Sequence, residues 1–267
     1  MNTIIVGTDF TISSLNACKY AALLAQKLNC KLTIFNLFEA PVMHLNSGIY
    51  GLSYISRRKK NETRINKVTD EILKLFPKLK IGQFVTSGSF SEELKKFTDT
   101  NQIEAAVMGL ESKDKISNYV YGSHGVELAG KLNCPVIIIP KRYTDHQLAR
   151  IMLVVDNNEK LVKSSLSNFE RLVKQFKSKL TVLHVRTDNE IFDPVMGAIK
   201  INGKNYPIEI VTSKNIQGGV KKNCKKGDID LVTIISKKHS AFYDFFRESN
   251  TKKLAFAAKV PIMAIHE

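Results

Sequence analysis

The 267-residue sequence predicts an α/β protein that holds two doubly wound parallel sheets in one chain. Three observations predict this fold class. Short apolar segments alternate with stretches of helical periodicity, which is the pattern of βαβ units with right-handed crossovers. Several segments, such as residues 136–139, are apolar at every position, as strands buried on both faces of a parallel sheet usually are. The same series of segments then returns in the second half of the chain.

Four strand-like segments recur in the same order in both halves, and the first segment of each series ends in Asp. The matched segments are residues 3–9 with 151–156, 31–35 with 179–183, 103–108 with 229–234, and 133–139 with 259–265. Four matches in one order indicate two copies of one domain. We place these copies at residues 1–143 and 148–267, with a polar connector between them.

The second copy is shorter than the first. Leu32 and Leu180 lie 148 positions apart, whereas Pro135 and Pro261 lie 126 positions apart. The second copy has therefore lost about 22 residues between its second and fourth strands. Only a short segment around residues 193–200 is expected to remain of that region.

The helices of the first copy follow from the apolar periodicity between the strands. We expect them over residues 15–28, 53–76, 91–100 and 123–132. The second of these helices lies in the region that the second copy has lost. Its predicted apolar face is formed by Ile65, Val68, Ile72, Leu73 and Phe76.

The net charge of +15 comes from 40 basic and 25 acidic residues and is shared between the halves, with +6 over residues 1–147 and +9 over 148–267. Such a charge attracts phosphates and polyanions in general. Basic runs such as residues 57–60 are interpreted as solvated helix ends and loops, because no nucleic-acid motif and no Trp accompany them. We expect no specific nucleic-acid partner. With no signal peptide and no apolar segment long enough to cross a bilayer, we expect a cytoplasmic protein without membrane contact.

The four cysteines, Cys18, Cys30, Cys134 and Cys224, lie far apart in the sequence. They form no C-x-x-C pair, and no His lies at a zinc-ligand spacing from them. In a reducing compartment they are interpreted as small apolar residues, and no metal site is expected.

Ligands of an open α/β sheet bind beyond the carboxyl ends of its strands, where the strand order reverses. Two features of the first copy fall at this edge. One is Asp9, which ends the first strand, and the other is the glycine-containing stretch 109–123. In that stretch Ser112 follows Gly109 by three positions, and nine residues separate Ser112 from the pair Gly122-Ser123.

These features together resemble the universal stress protein family, whose nucleotide-binding members carry G-x2-G-x9-G-[S/T] between the fourth strand and the final helix. The opening strand and the closing segment 134–139 fit the same family. The resemblance extends over both halves and implies a tandem member with two five-stranded, Rossmann-like domains. It also implies that the closing strands, residues 135–139 and 261–265, pair within the chain as an intramolecular pseudo-dimer, which could dimerise further.

The resemblance implies that the first copy binds ATP or another adenine nucleotide, which could bring Mg²⁺ with it. Glycines let the backbone approach phosphates, and a helix N-terminus adds N–H donors and the positive end of its dipole. The residues implied to contact the nucleotide are Thr8, Asp9, Phe10, Leu37, Met108, Gly109, Ser112, Gly122, Ser123 and His124.

Ser112 departs from the family pattern because it stands at the second glycine, where a serine resists positive φ and crowds a phosphate. The second copy departs further. The 126-residue offset places Ile235, Lys238 and Glu248 at the three glycine positions, so a carboxylate lies where a phosphate would be. A like charge at ~4 Å costs about 4 kcal/mol at an effective dielectric constant of about 20, and we expect no nucleotide in this copy.

We therefore expect a stress-response protein that acts as a regulatory or sensing module and is not an enzyme, since no catalytic constellation and no P-loop is present. Its expected partners are the adenine nucleotide and a further protein. The alternative is a family member that binds no nucleotide and serves as an interaction or scaffold protein, which the aromatic loop at residues 242–246 favours. A third hypothesis is slow ATP hydrolysis, for which only Asp9 or Glu111 could activate water.

Overall fold

A computed structural model of the chain describes residues 1–39, 49–110, 132–144, 147–155, 163–187, 197–236 and 259–266. These residues form eleven strands and five helices, and the strands hydrogen-bond into one continuous sheet. The order across the sheet is β3-β2-β1-β4-β5-β11-β10-β6-β7-β9-β8, so each half of the chain occupies one half of the sheet.

The first half contains five strands and three helices. The strands are β1 (Thr3–Gly7), β2 (Lys31–Phe38), β3 (Ile81–Ser87), β4 (Ile103–Leu110) and β5 (Val136–Pro140). The helices are α1 (Ile12–Leu28), α2 (Ile49–Leu75) and α3 (Phe90–Thr100). All four strand pairings are parallel, and the order reverses between β1 and β4, as a doubly wound sheet requires.

Helix α1 begins and ends on local signals. The side chain of Thr11 caps its first turn by accepting a hydrogen bond from the backbone N–H of Ser14. Asn29 ends the helix in the left-handed conformation with φ 51°. Between them a face of small and apolar residues, including Ala21 and Leu24, is fully buried against the sheet.

The apolar periodicity predicts the other two helices of the first half to within four residues. In α2, the side chains of Ile65, Val68 and Ile72 are buried, as their shared face predicts. Helix α3 begins one residue before its predicted start. The helix predicted over 123–132 lies outside the described residues, except for Leu132.

The second half contains six described strands and two described helices. The strands are β6 (Arg150–Val154), β7 (Lys179–Arg186), β8 (Ala198–Ile201), β9 (Lys204–Thr212), β10 (Leu231–Ser236) and β11 (Ile262–His266). The helices are α4 (Lys163–Phe176) and α5 (Ile216–Gly227). Strands β6, β7, β9, β10 and β11 form a parallel set, and β8 adds an antiparallel strand at the edge.

The β8–β9 hairpin occupies the chain position of α2 and was not predicted. In β8, Ile199 and Ile201 are buried while Ala198 and Lys200 are exposed, which is the period of a strand with one face on the core. The turn is Asn202-Gly203, with φ values of 49° and 78°. This dipeptide favours a two-residue hairpin because both central residues need positive φ. The described part of the segment expected to remain at 193–200 is therefore the start of a hairpin.

The two halves meet where β5 and β11 pair antiparallel, with Ile137 opposite Met263 and Ile138 opposite Ile262. This is the pairing of closing strands that the family resemblance implies. One buried apolar cluster, on the face covered by α1, α2 and α4, contains residues of both halves. Across the junction Arg171 of α4 forms an ion pair with the buried carboxylate of Glu104. That the arrangement stands in for a homodimer stays a prediction.

The opposite face of the sheet carries a second buried cluster beneath α3 and α5. The described helices include none that is long and apolar enough to cross a membrane.

Candidate functional site

The carboxyl edge of the first half brings three predicted site residues together. Val6 pairs with Val107 of β4, and Gly7 pairs with Phe35 of β2. Two residues beyond these pairs, Leu37 lies level with Asp9 and Gly109 lies level with Thr8, so Asp9, Leu37 and Gly109 come to one edge of the sheet. The strand order reverses at this edge, which is the usual place for a ligand in such a sheet.

The carboxylate of Asp9 is held at the start of α1. Its Oδ1 accepts hydrogen bonds from the backbone N–H of Thr11 at 3.0 Å and from the Thr11 hydroxyl at 2.6 Å. Among the described residues nothing bonds to the second oxygen, Oδ2. Asp9 is half-buried, so one carboxylate oxygen is fixed by the protein and the other is left to accept a further hydrogen bond.

Thr8 is fully buried, and its side chain is used within the protein. The Thr8 hydroxyl lies 3.1 Å from the Ser14 hydroxyl and accepts a hydrogen bond from the backbone N–H of Phe10. The side chain therefore ties the end of β1 to α1. Its backbone is also bonded within the protein, since the Thr8 N–H donates to the Phe35 carbonyl oxygen at 2.9 Å and the Thr8 carbonyl oxygen accepts a hydrogen bond from Asn36.

Phe10 adopts φ 65°, which is uncommon for a residue with a side chain. Its half-buried ring lies under the guanidinium of Arg64 from α2, at 3.9 Å from carbon to ring centroid. Arg64 is exposed, and its distance from the ring is that of a cation–π contact. Arg64 was not among the predicted site residues, because nothing in its local pattern sets it apart from the other cations of α2.

Leu37 and Met108 belong to the buried cluster beneath α3, with exposures of 8% and 0%. Their side chains form the apolar base of the edge. Met108 has no exposed surface, backbone included, and contributes to this edge only by packing in the core.

Gly109 is needed for close packing between β4 and α1. A Cβ atom at this position would lie 2.5 Å from the carbonyl oxygen of Ser13 and 2.8 Å from the backbone nitrogen of Ser14. No side chain fits there without moving the first turn of α1. Gly109 therefore supports the turn that orients Asp9, whatever else it contacts.

Asn36 also lies at this edge and was not among the predicted site residues. It is buried on β2, donates a hydrogen bond from Nδ2 to the Thr8 carbonyl oxygen at 2.8 Å, and leaves its Oδ1 without a partner in the described part of the chain. A polar residue inside an otherwise apolar strand was the available signal.

The second part of the predicted site lies outside the described residues. This applies to Ser112, Gly122, Ser123 and His124 in the first half, and to Lys238, Glu248 and the aromatic loop 242–246 in the second. Of the motif positions in the second copy, Ile235 is described, and it is fully buried.

The cysteine thiols are buried and free. Burial raises the pKa of Cys18, Cys134 and Cys224 to about 12 each, so at neutral pH they are protonated and poor nucleophiles. No group of three or more His, Cys, Asp or Glu side chains that could hold a metal ion is found within the described ranges.

The sequence model of the universal stress protein family matches residues 1–140. The chain belongs to the universal stress protein family. The crystal structure of a universal stress protein from Archaeoglobus fulgidus DSM 4304 superposes on 98% of this chain and 95% of its own, with a TM-score of 0.69 and 14% identity. A functionally unknown protein from Pseudomonas aeruginosa PAO1 covers 100% of this chain and 92% of its own, with a TM-score of 0.61 and 10% identity.

Both structural matches extend over the two halves of this universal stress protein, so the repeated fold is shared along the whole chain. At such identities the likeness shows the fold alone. No curated protein sequence matches the chain at a significant level.

Proposed function

We propose that the first half of this universal stress protein binds an adenine nucleotide, and that the chain acts as a regulatory, non-enzymatic module in a stress response. The observation that supports this most is the orientation of Asp9. Thr11 fixes one oxygen of its carboxylate at the reversal point of the sheet, and the described residues leave the other oxygen unbonded. A carboxylate held in this way can accept the hydroxyl protons of a ribose without reorganising.

The surroundings of Asp9 suit a nucleoside. Leu37 keeps 8% of its surface exposed and would offer an apolar contact to a base, while Met108 packs in the same buried cluster. The Phe10 ring, next to Asp9 in the chain, lies against Arg64 of α2. Stretch 109–123 would supply backbone N–H groups to phosphates, as the family pattern implies. The exposed guanidinium of Arg64, which lies on the Phe10 ring, would offset part of the ligand charge.

The second half is proposed to bind no nucleotide in the same way. Its position equivalent to Gly109 holds Ile235, whose side chain is part of the apolar core. The loss of glycine there agrees with the carboxylate of Glu248 at the position of a phosphate contact. This half would serve as the structural partner of the first.

The experiment begins with the purified full-length protein. Any small molecule released on denaturation is identified by mass spectrometry, and the melting temperature of the ligand-free protein is then followed with added ATP, AMP and Mg²⁺. A ligand at ~100 times its Kd adds about 2.7 kcal/mol of stability, which a thermal melt detects.

The variant Asp9→Asn tests the role of the carboxylate. The amide oxygen keeps the hydrogen bonds to Thr11, while the amide nitrogen replaces the free oxygen and cannot accept a ribose hydroxyl. Nucleotide affinity should fall by a factor of about 10–100, the cost of one hydrogen bond to a charged group. The matched control is Asp70→Asn on the exposed surface of α2, which should bind as the wild type does. No shift with any adenine nucleotide would contradict the proposal and favour the scaffold alternative.

A further inference from the structure

The two halves differ in how they fill the space between the sheet and the helix that follows the third parallel strand. In the first half four phenylalanines pack there beneath α3. Phe35 lies 5.5 Å from the rings of Phe84 and Phe90, and Phe84 lies 5.0 Å from Phe97, measured between ring centroids. These rings close the space between α3 and strands β2 and β3.

The internal repeat identifies the equivalent residues in the second half. Phe35 pairs with Phe84 across β2 and β3, just as Leu183 pairs with Glu209 across β7 and β9. Helices α3 and α5 start 126 positions apart, so Phe90 and Phe97 correspond to Ile216 and Asn223. The four aromatic positions therefore hold Leu183, Glu209, Ile216 and Asn223.

This replacement leaves a groove of about 310 Å³ in the second half, lined in part by Glu209 and Asn223. Its remaining walls come from the amino-terminal ends of β6 and β7 and from Ile229, two residues before β10. The buried side chains of Met152 and Ile229 supply its apolar surface. The groove thus lies at the opposite edge of the sheet from a family-type nucleotide site, and it has the size of a small-molecule site.

Of the charged side chains that line the groove, Arg150 is paired with carboxylates of the protein, whereas Lys179 and Glu209 are not paired within the described residues. Arg150 is engaged by two carboxylates, with Asp228 at 3.3 Å and Asp230 at 3.7 Å. Lys179 and Glu209 also line the groove, and both are exposed. Neither forms an ion pair within the described ranges. One cation and one carboxylate are therefore available to a ligand, beside the hydroxyl of Thr181 and the amide of Asn223.

We propose that this groove binds a small zwitterion of the amino-acid class with an apolar side chain. The ligand carboxylate pairs with the Lys179 ammonium, the ligand ammonium pairs with the Glu209 carboxylate, and the apolar side chain lies on Met152 and Ile229. A nucleotide or other polyanion fits poorly, because Glu209 repels it and Arg150 is already paired. This site is independent of the nucleotide site proposed for the first half.

The test uses the full-length protein and measures binding of L-leucine, L-methionine and L-phenylalanine by amide NMR shifts and thermal melts. Isoamylamine and 4-methylpentanoate, which each keep one charged group of leucine, are the matched probes. We expect at least one amino acid to bind at millimolar concentration and both single-charge probes to bind at least about tenfold more weakly. Absence of binding by all three amino acids would overturn the proposal.

Variants locate the binding. Lys179→Gln and Glu209→Gln should each weaken it by at least about tenfold, whereas Lys31→Gln, at the equivalent register position of the first half, should have no effect. The double variant Glu209→Phe/Asn223→Phe restores the aromatic residues of the first half and should abolish binding. Binding that survives both charge variants would overturn the assignment, even if the double variant failed to fold.

Discussion

At the scale of single residues, the two halves repeat one polar contact with different side chains. Asn36 donates to the Thr8 carbonyl oxygen at 2.8 Å, and His184, at the equivalent position of β7, lies 3.0 Å through Nδ1 from the Val155 carbonyl oxygen. Both contacts satisfy a buried carbonyl where the first parallel strand of a half ends. In the first half this contact lies next to Asp9, whose carboxylate is oriented by Thr11. The two halves therefore share the backbone contact, whereas the side chain that makes it differs between them.

Gly109→Ala should destabilise the protein by about 1–3 kcal/mol, the usual cost of overpacking, because its Cβ would lie 2.5 Å from a backbone oxygen of α1. Gly197→Ala is the matched control, since a Cβ there meets nothing within 4 Å. Urea unfolding of both variants measures the difference. Equal stabilities for the two variants would contradict the close packing between β4 and α1.

The buried thiols should make stability fall at alkaline pH. Their pKa rises from 9.0 to about 12 on folding at Cys18, Cys134 and Cys224, because burial disfavours the thiolate. Above pH 9 the unfolded chain loses these protons while the folded chain keeps them, so each thiol lowers stability by up to about 1.4 kcal/mol per pH unit towards pH 12. Urea unfolding at several pH values should show a shallower fall in the triple Cys→Ala variant. If the triple variant lost stability with pH as steeply as the wild type, the buried thiols could not be the cause of the alkaline loss of stability.

At the scale of elements, the sequence predicts the helices of the first half, whose positions depend on local apolar periodicity. The ends of α1, α2 and α3 follow from apolar periodicity and lie within four residues of their predicted positions. Strand β8 was not predicted, although Asn202-Gly203 is a strong hairpin signal, because it has no equivalent in the first copy, where a helix stands at this chain position. The contacts of Gly109 and Arg64 could not be predicted, since both depend on how distant helices approach the sheet.

Gly203→Ala should destabilise the β8–β9 hairpin by about 1 kcal/mol. The position has φ 78° and open space around it, so the cost is the left-handed backbone alone. Asn202→Gly at φ 49° is the control and should cost much less, because glycine adopts this conformation freely. Amide exchange of β8 and urea unfolding measure both variants. If Gly203→Ala left both the amide exchange of β8 and the free energy of unfolding unchanged, the result would contradict the left-handed conformation of Gly203.

At the scale of the whole molecule, the pairing of β5 with β11 joins two sheets of related sequence into one. If this joint replaces a homodimer, a fragment of residues 1–143 has a free β5 edge that can pair with its own copy. We expect that fragment to dimerise in sedimentation experiments, with the full chain at the same concentration as the control. A fragment that stays monomeric at high concentration would argue against the pseudo-dimer.

The proposal that the first half binds a nucleotide and the second half does not is tested most directly by calorimetric titration of ATP into nucleotide-free, full-length protein. The account predicts one nucleotide per chain, because Asp9 is oriented in the first half while Ile235 and Glu248 replace glycines in the second. The heat should be strongly reduced in Asp9→Asn. No heat of binding, or two equivalent sites per chain, would contradict the account.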